Sequence, residues 1–194
     1  TRANLAWVSD ERYMEDFANR LVGVTASNLQ STAGLYGTGR TWTAGLMADH
    51  WQLTDYTLTE AALPYSRQPR LFGTWDDSFG RWLETGVYAE AVRFTHDDIR
   101  GKTIDAEGEY VRDGSLTRVY GGSRLDIKPY VSMPLAGASW YITPTLAWRY
   151  TAYQLDRGMV APGTDRTPTR SLPITTVDAG MFFDREIQLD GKPF

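Results

Sequence analysis

The sequence predicts an all-β fold, the wall of an antiparallel transmembrane β-barrel of outer-membrane type, and three observations carry that prediction. Apolar and polar residues alternate with a period of two through eight segments; the connections alternate between long and short; and Trp residues stand beside the short ones. A chain of 194 residues, 42% hydrophobic, fits a single domain spanning residues 1–194.

Arg2 to Val8 and Asn28 to Tyr36 read as the first two strands. From Thr41 to Asp49, one face collects Trp42, Ala44, Leu46 and Ala48, the other Thr41, Thr43 and Asp49. Gln68 to Trp75 groups Leu71, Gly73 and Trp75. From Leu83 to Phe94, Leu83, Val87, Ala89 and Ala91 oppose Glu84, Gly86, Tyr88 and Glu90. Arg118 to Met133 sets Leu125, Ile127, Val131 and Met133 against Arg124, Asp126, Lys128, Tyr130 and Ser132. Trp140, Ile142, Leu146 and Trp148 oppose Tyr141, Thr143, Thr145 and Arg149. In the last segment Val177, Ala179, Met181 and Phe183 oppose Thr176, Asp178 and Asp184. Successive side chains of a strand point to opposite faces, so each set holds its own side.

The connections Ser9 to Ser27, Thr54 to Ser66, Thr95 to Leu116 and Gln154 to Ser171 are long, whereas Gly37 to Gly39, Asp76 to Gly80 and Pro134 to Ser139 are short. A membrane barrel has this asymmetry, with short periplasmic turns and long outer loops. About 10 residues at 3.3 Å, tilted near 45°, cover roughly 23 Å, close to the apolar band of about 25 Å. Trp42, Trp75 and Trp140 lie near short turns on the apolar parity, as ring anchors at one membrane interface do. Trp82 falls on the opposite parity and breaks the pattern.

Composition narrows the classes further. Gly 18 and Pro 9 are near average usage and aromatics reach 13%, unlike a collagenous or disordered chain. A net charge of −4 offers no basic face to a phosphate backbone, which argues against nucleic acid as a partner. Without Cys there is no disulfide, thiolate metal site or Cys nucleophile within these residues. Leu21 to Gly39 and Pro129 to Trp148 are uncharged or nearly so. The first is small and polar and the second is broken by Pro129, Pro134 and Pro144, so neither reads as a spanning helix. Thr1 to Val8 shows no targeting pattern, as expected of a processed or excised piece.

Motifs for catalysis are weak. Gly34 to Thr41 resembles a phosphate-binding loop, but Arg40 replaces the Lys and a strand follows where a helix is needed. Glu84, Glu90, Asp178 and Asp184 supply carboxylates, yet sequence spacing cannot set the separation that glycosidases require. His50 and His96-Asp97-Asp98 lack metal-ligand spacing, so no metal or other cofactor is expected. No Ser stands in a nucleophile elbow, and the chain does not read as an enzyme. Glu84, Tyr88, Glu90, Arg124, Asp126, Lys128, Arg149 and Asp178 share the polar parity and are expected to line a lumen and meet whatever fills it. On the lipid face such charges would cost up to about 2–4 kcal/mol at midplane.

The order of residues also resembles a family. Val8-Ser9-Asp10, Tyr13 and Asp16-Phe17 precede a glycine- and aromatic-rich hairpin. Arg124-Leu125, Pro129 and Pro134-Leu135 follow, then Arg170-Ser171-Leu172-Pro173, Asp178, Gly180-Met181 and Phe183-x-Arg185-Glu186. This set is similar to the barrel of the LptD family of lipopolysaccharide-assembly outer-membrane proteins. The resemblance implies about eight strands of a barrel of about 26, at the large end of such barrels. It also implies the lipoprotein LptE as a plug, periplasmic bridge proteins that deliver lipopolysaccharide, and residence in the outer membrane of a Gram-negative bacterium. Two rivals stay open on the residues alone. A complete eight-stranded barrel with a structural or adhesive role should end in an aromatic-terminated strand, and a soluble β-sandwich would bind carbohydrate on exposed Trp and Tyr.

Overall fold

The computed structural model describes residues 1–11, 27–183, 188–189 and 192–193. Tyr13, Asp16, Phe17, Asp184, Arg185 and Glu186 lie outside them. The strands are β1 (Arg2–Asn4), β2 (Asn28–Thr38), β3 (Trp42–Leu53), β4 (Ser66–Phe79), β5 (Leu83–Thr95), β6 (Ile99–Ile104) and β7 (Tyr110–Thr117). They continue with β8 (Gly122–Ser132), β9 (Leu135–Ala136), β10 (Trp140–Leu155), β11 (Thr169–Met181), β12 (Gln188–Leu189) and β13 (Lys192–Pro193). One antiparallel sheet runs β1-β2-β3-β4-β5-β8-β10-β11, with β9 paired to β10. It is open, because β1 and β11 stand at opposite edges.

Each alternating segment of the sequence is a strand here, with shifted boundaries: β4 runs on to Phe79, through most of the stretch Asp76 to Gly80 read as a turn, and β10 reaches Leu155. The first strand stops at Asn4, where its ladder to β2 ends. Beyond it Ala6 N donates to Ser31 Oγ at 3.2 Å, and Gln52 Nε2 donates to Val8 O at 2.8 Å, so side chains hold the segment to the sheet. β3 runs on to Leu53, β8 begins at Gly122 instead of Arg118, and the last strand is Thr169–Met181, reaching back where Gln154 to Ser171 reads as loop. A register shift in β4 falls between Arg67 and Arg70, around Pro69, which has no N–H to give to a ladder.

The tight turns explain the Trp pattern. Gly39 N donates to Trp42 O at 2.7 Å and Gly137 N to Trp140 O at 2.8 Å, so both turns are Gly-x-x-Trp. In each the indole lies so close over the glycine that a Cβ there would collide with it. The third turn places Gly80 at φ +70°, the left-handed region that favours glycine, with Trp82 Nε1 near it. Trp82 is thus a turn residue, which accounts for its odd parity.

What the alternation misses is the hairpin β6–β7, inside the stretch read as a loop. Its register is Ile99↔Thr117 through Ile104↔Tyr110. Every side chain of β7 is exposed and β6 covers Ile99, Gly101 and Lys102 only in part, so the hairpin writes no two-residue apolar period into the sequence.

Candidate functional site: the ionic face of the sheet

The sheet buries charge and exposes hydrocarbon. Among the described residues the buried apolar side chains are Val8, Leu53, Leu63, Val92 and Ala147, while Asp49, Glu60, Glu90 and Asp126 are buried with several Ser and Thr. Leu146 is 55% exposed and Val177 59%, whereas Asp126 is 1% exposed. Cross-strand register shows how complete the separation is. Leu35↔Leu46, Leu46↔Leu71, Leu71↔Ala91 and Ala91↔Leu125 form one continuous apolar row over five strands. Trp42 sits directly opposite Trp75, and Trp75 opposite Val87. An exposed apolar surface of this extent marks an interaction face.

The opposite face holds all eight sequence-predicted polar residues, and the structure gathers most of them. Tyr88↔Lys128 and Glu90↔Asp126 are cross-strand neighbours. Glu90 is gripped from both sides: Arg70 Nε donates to Oε2 at 2.8 Å, and Arg124 Nη2 donates to Oε1. Tyr88 Oη also donates to Glu90 Oε2, at 3.0 Å. Asp126 accepts from Arg149 Nε at 3.0 Å, from Arg149 Nη2, and from Thr151 Oγ1 at 3.1 Å. Such charge-assisted bonds are the strong ones, and a buried carboxylate needs them. Lys128 has no ion pair among the described residues. Glu84 and Asp178 stand apart, opposite Ser132 and Thr143 near the short turns.

Sequence reasoning missed two partners. Arg70 shares its parity with Phe72 and Thr74, and that alternation within Gln68 to Trp75 is a signal that could have found it. Arg67 reaches Asp49, with Nη2 to Oδ2 at 2.5 Å, but the register shift beside it hides its face from any strict count by two. Gly86 makes room for a further cross-strand contact: Tyr130 lies over it and donates to Asp76 Oδ1 at 2.7 Å, and a Cβ on Gly86 would meet the ring at 2.6 Å.

At the long-loop end, side chains tie the loops together. Lys102 Nζ donates to Glu11 Oε2 at 2.5 Å and Arg112 Nη2 to Glu11 Oε1 at 2.6 Å. Glu60, in the short 3-10 helix Glu60–Ala62, accepts Arg100 N at 2.9 Å. Arg93 pairs with Asp156 through two bonds of 3.0 and 2.7 Å. No group of three or more His, Asp or Glu among the described residues is placed to hold a metal ion. His50 and His96 lie at this long-loop end; His96 bridges to Leu63 O and Asp97 O. The stretch Gly34 to Thr41 is strand and tight turn, which has no helix N-terminus for a phosphate.

Comparison with known proteins agrees with this architecture over the full chain. Residues 1–194 match the family model described as LptD: LPS transport system D. The LPS-assembly protein LptD of Xanthomonas euvesicatoria pv. vesicatoria is 61% identical over 206 residues, covering 100% of this chain and 25% of that protein. The protein of the same name from Xylella fastidiosa (strain Temecula1) is 57% identical over 195 residues, with 100% and 25% covered. The chain therefore spans about a quarter of the length of the curated relatives it matches. With the ordered residues, the two-faced sheet and a whole-length match all in agreement, this chain belongs to the LptD family.

Proposed function

We infer that this chain is an interior arc in the wall of an outer-membrane β-barrel, of about 26 strands in the whole protein, that assembles lipopolysaccharide at the outer leaflet. The observation that supports this most is the inverted sheet: Leu35, Leu46, Leu71, Leu146 and Val177 face outward with nothing covering them, while Glu90 and Asp126 are buried under guanidinium groups. Exposing a Leu to water forfeits roughly 1.5–3 kcal/mol, and a row of them is stable only against hydrocarbon. Both edges of the sheet offer ladders, along β1 and along all of β11, to neighbouring strands of a larger barrel.

In this reading Glu84, Tyr88, Glu90, Arg124, Asp126, Lys128, Arg149 and Asp178 line an aqueous lumen, and their donors and acceptors meet the lipoprotein plug LptE. Trp42, Trp75 and Trp140 mark the periplasmic interface. Lipopolysaccharide arrives from periplasmic bridge proteins. The wall carries out no covalent chemistry; it keeps saccharides wet and acyl chains out of water. The test is lipid-phase photolabelling of the full-length protein in outer-membrane vesicles. Label should enter Leu46, Leu146 and Val177 and spare Asp126 and Arg149; the reverse pattern would sink the assignment of the faces.

A further inference from the structure

The sequence has two histidines, and the fold brings both to one residue. His50 stands near the end of β3, and its Nε2 lies 4.0 Å from Asp97 Oδ2. His96 precedes Asp97 in the connection between β5 and β6 and turns both ring nitrogens on carbonyls: Nδ1 is 2.6 Å from Asp97 O and Nε2 3.0 Å from Leu63 O. Leu63 is buried just past the 3-10 helix Glu60–Ala62. The Tyr65 ring packs edge-on against the imidazole with centroids 5.0 Å apart, and Tyr65 Oη donates to Tyr120 O at 3.0 Å. Residues 96–98, the root of the hairpin β6–β7, are thus tied through imidazole to the loop 54–65 and to β3.

A carbonyl oxygen only accepts. Neutral imidazole carries one N–H, so it answers one of these two carbonyls and turns a lone pair on the other, whereas imidazolium donates to both. The pairing of His50 with Asp97 likewise needs a charged ring. The surrounding charges leave room for that charge. His96 shares a cavity of about 500 Å3 with Arg93, Asp98, Arg118, Tyr120 and Asp156. Arg93 is matched by Asp156, Arg118 lies over the Tyr120 ring, and Asp98 accepts Val119 N. On the loop side Glu60 is paired with Arg100, and beside His50 the Asp49 carboxylate is held by Arg67.

We propose that His50 and His96 form an acid-tightened latch on Asp97, which seats the hairpin β6–β7 more firmly on the loop 54–65 as the pH falls. Of the side-chain types gathered here, imidazole alone ordinarily changes charge between pH 5 and 8. Contacts that need the protonated rings are complete on the acid side and are lost as the pH rises. The latch is the same whichever side of the membrane the long loops occupy, so its failure would leave the assignment of the wall untouched.

The test is amide hydrogen exchange on the full-length protein in micelles at pH 5.5 and 7.5, corrected for the intrinsic rate at each pH. In the wild type, residues 61–65 and 96–100 should be at least about fivefold better protected at pH 5.5, the weight of one hydrogen bond. The strand pair β5–β8 around Glu90 and Asp126 is the reference and should barely change. H96Q, whose amide answers a carbonyl but gains no charge, should bring the ratio near one. H50Q, at a side chain 51% exposed, should lower it in part. A wild-type ratio near one or below it overturns the latch, and so does an H96Q ratio as large as that of the wild type. An equal change in the reference strands would mark a general effect of acid on the barrel and overturn it too. Where H96Q does not assemble, H50Q decides: the full wild-type ratio kept in H50Q overturns the convergence on Asp97.

Discussion

The ionic face is built in two ways. Over β2 to β4 it is glycine and aromatic beside the Asp49–Arg67 pair: a Cβ on Gly45 would meet the Phe72 ring at 2.6 Å, and Tyr36 lies tilted against Phe72 with centroids 6.2 Å apart. Over β5 to β10 it is charge on charge, centred on Glu90 and Asp126. Arg70 belongs to both halves, its guanidinium 4.4 Å from the Phe72 centroid while it binds Glu90. Apart from the buried Arg124 Nε, neither half leaves a buried side-chain polar atom stranded among the described residues, but one does it mainly by shape and the other by electrostatics. They should therefore fail differently.

The largest effect is expected in the charged half. R149A strips the main partner from Asp126, and breaking a buried pair from one side costs about 3–5 kcal/mol. Arg149 is itself half in water, so the low end, about 3 kcal/mol, is expected for the urea midpoint of the full-length protein in micelles. The double variant D126N/R149Q, which removes the charge as well as its partner, should recover much of that loss. If R149A alone unfolds at the wild-type midpoint, the carboxylate is not buried as described.

In the aromatic half the matching change is G45V, which forces the Phe72 ring aside. Overpacking of this kind costs typically about 1–3 kcal/mol, and a side chain that can swing keeps it near about 1. This loss should be indifferent to ionic strength. A G45V loss that changed with salt would erase the distinction between the halves.

Much of this division was legible in the sequence, and the reasons are physical. The parity of Arg124, Asp126 and Lys128 places them on one face because a strand has no other choice once Leu125 and Ile127 are outward. Trp42 and Trp140 were readable because a Gly-x-x-Trp turn is local in the chain. What escaped was non-local or irregular. The grip of Arg70 and Arg124 on one carboxylate depends on which strands are neighbours, and β8 reaches β5 only by passing over the hairpin β6–β7. Arg67 escaped because a register shift breaks the count by two. The hairpin itself escaped because β7 is exposed throughout and β6 covers no regular apolar face.

The smallest expected effect tests whether the electrostatic style extends beyond the strands. Asp156, just past β10, is held below its ordinary 3.8 by the bonds from the Arg93 guanidinium, with the Gly121 N–H adding to them. A carboxylate whose folded value is depressed adds stability above its unfolded value and loses it as pH falls through the folded one. The clasp of the loop 156–168 to β5 should therefore be intact at pH 4.5 and loosen only as the pH falls well below 3.8. Brief pepsin digestion of the full-length protein should leave this loop protected at the higher pH and cut it at the lower. D156N should be cut at both, because its amide carries no charge at any pH. A wild-type loop protected equally at both values would mean that Arg93 and Asp156 touch without anchoring anything, and would confine the electrostatic half of the molecule to the strands between Glu90 and Arg149.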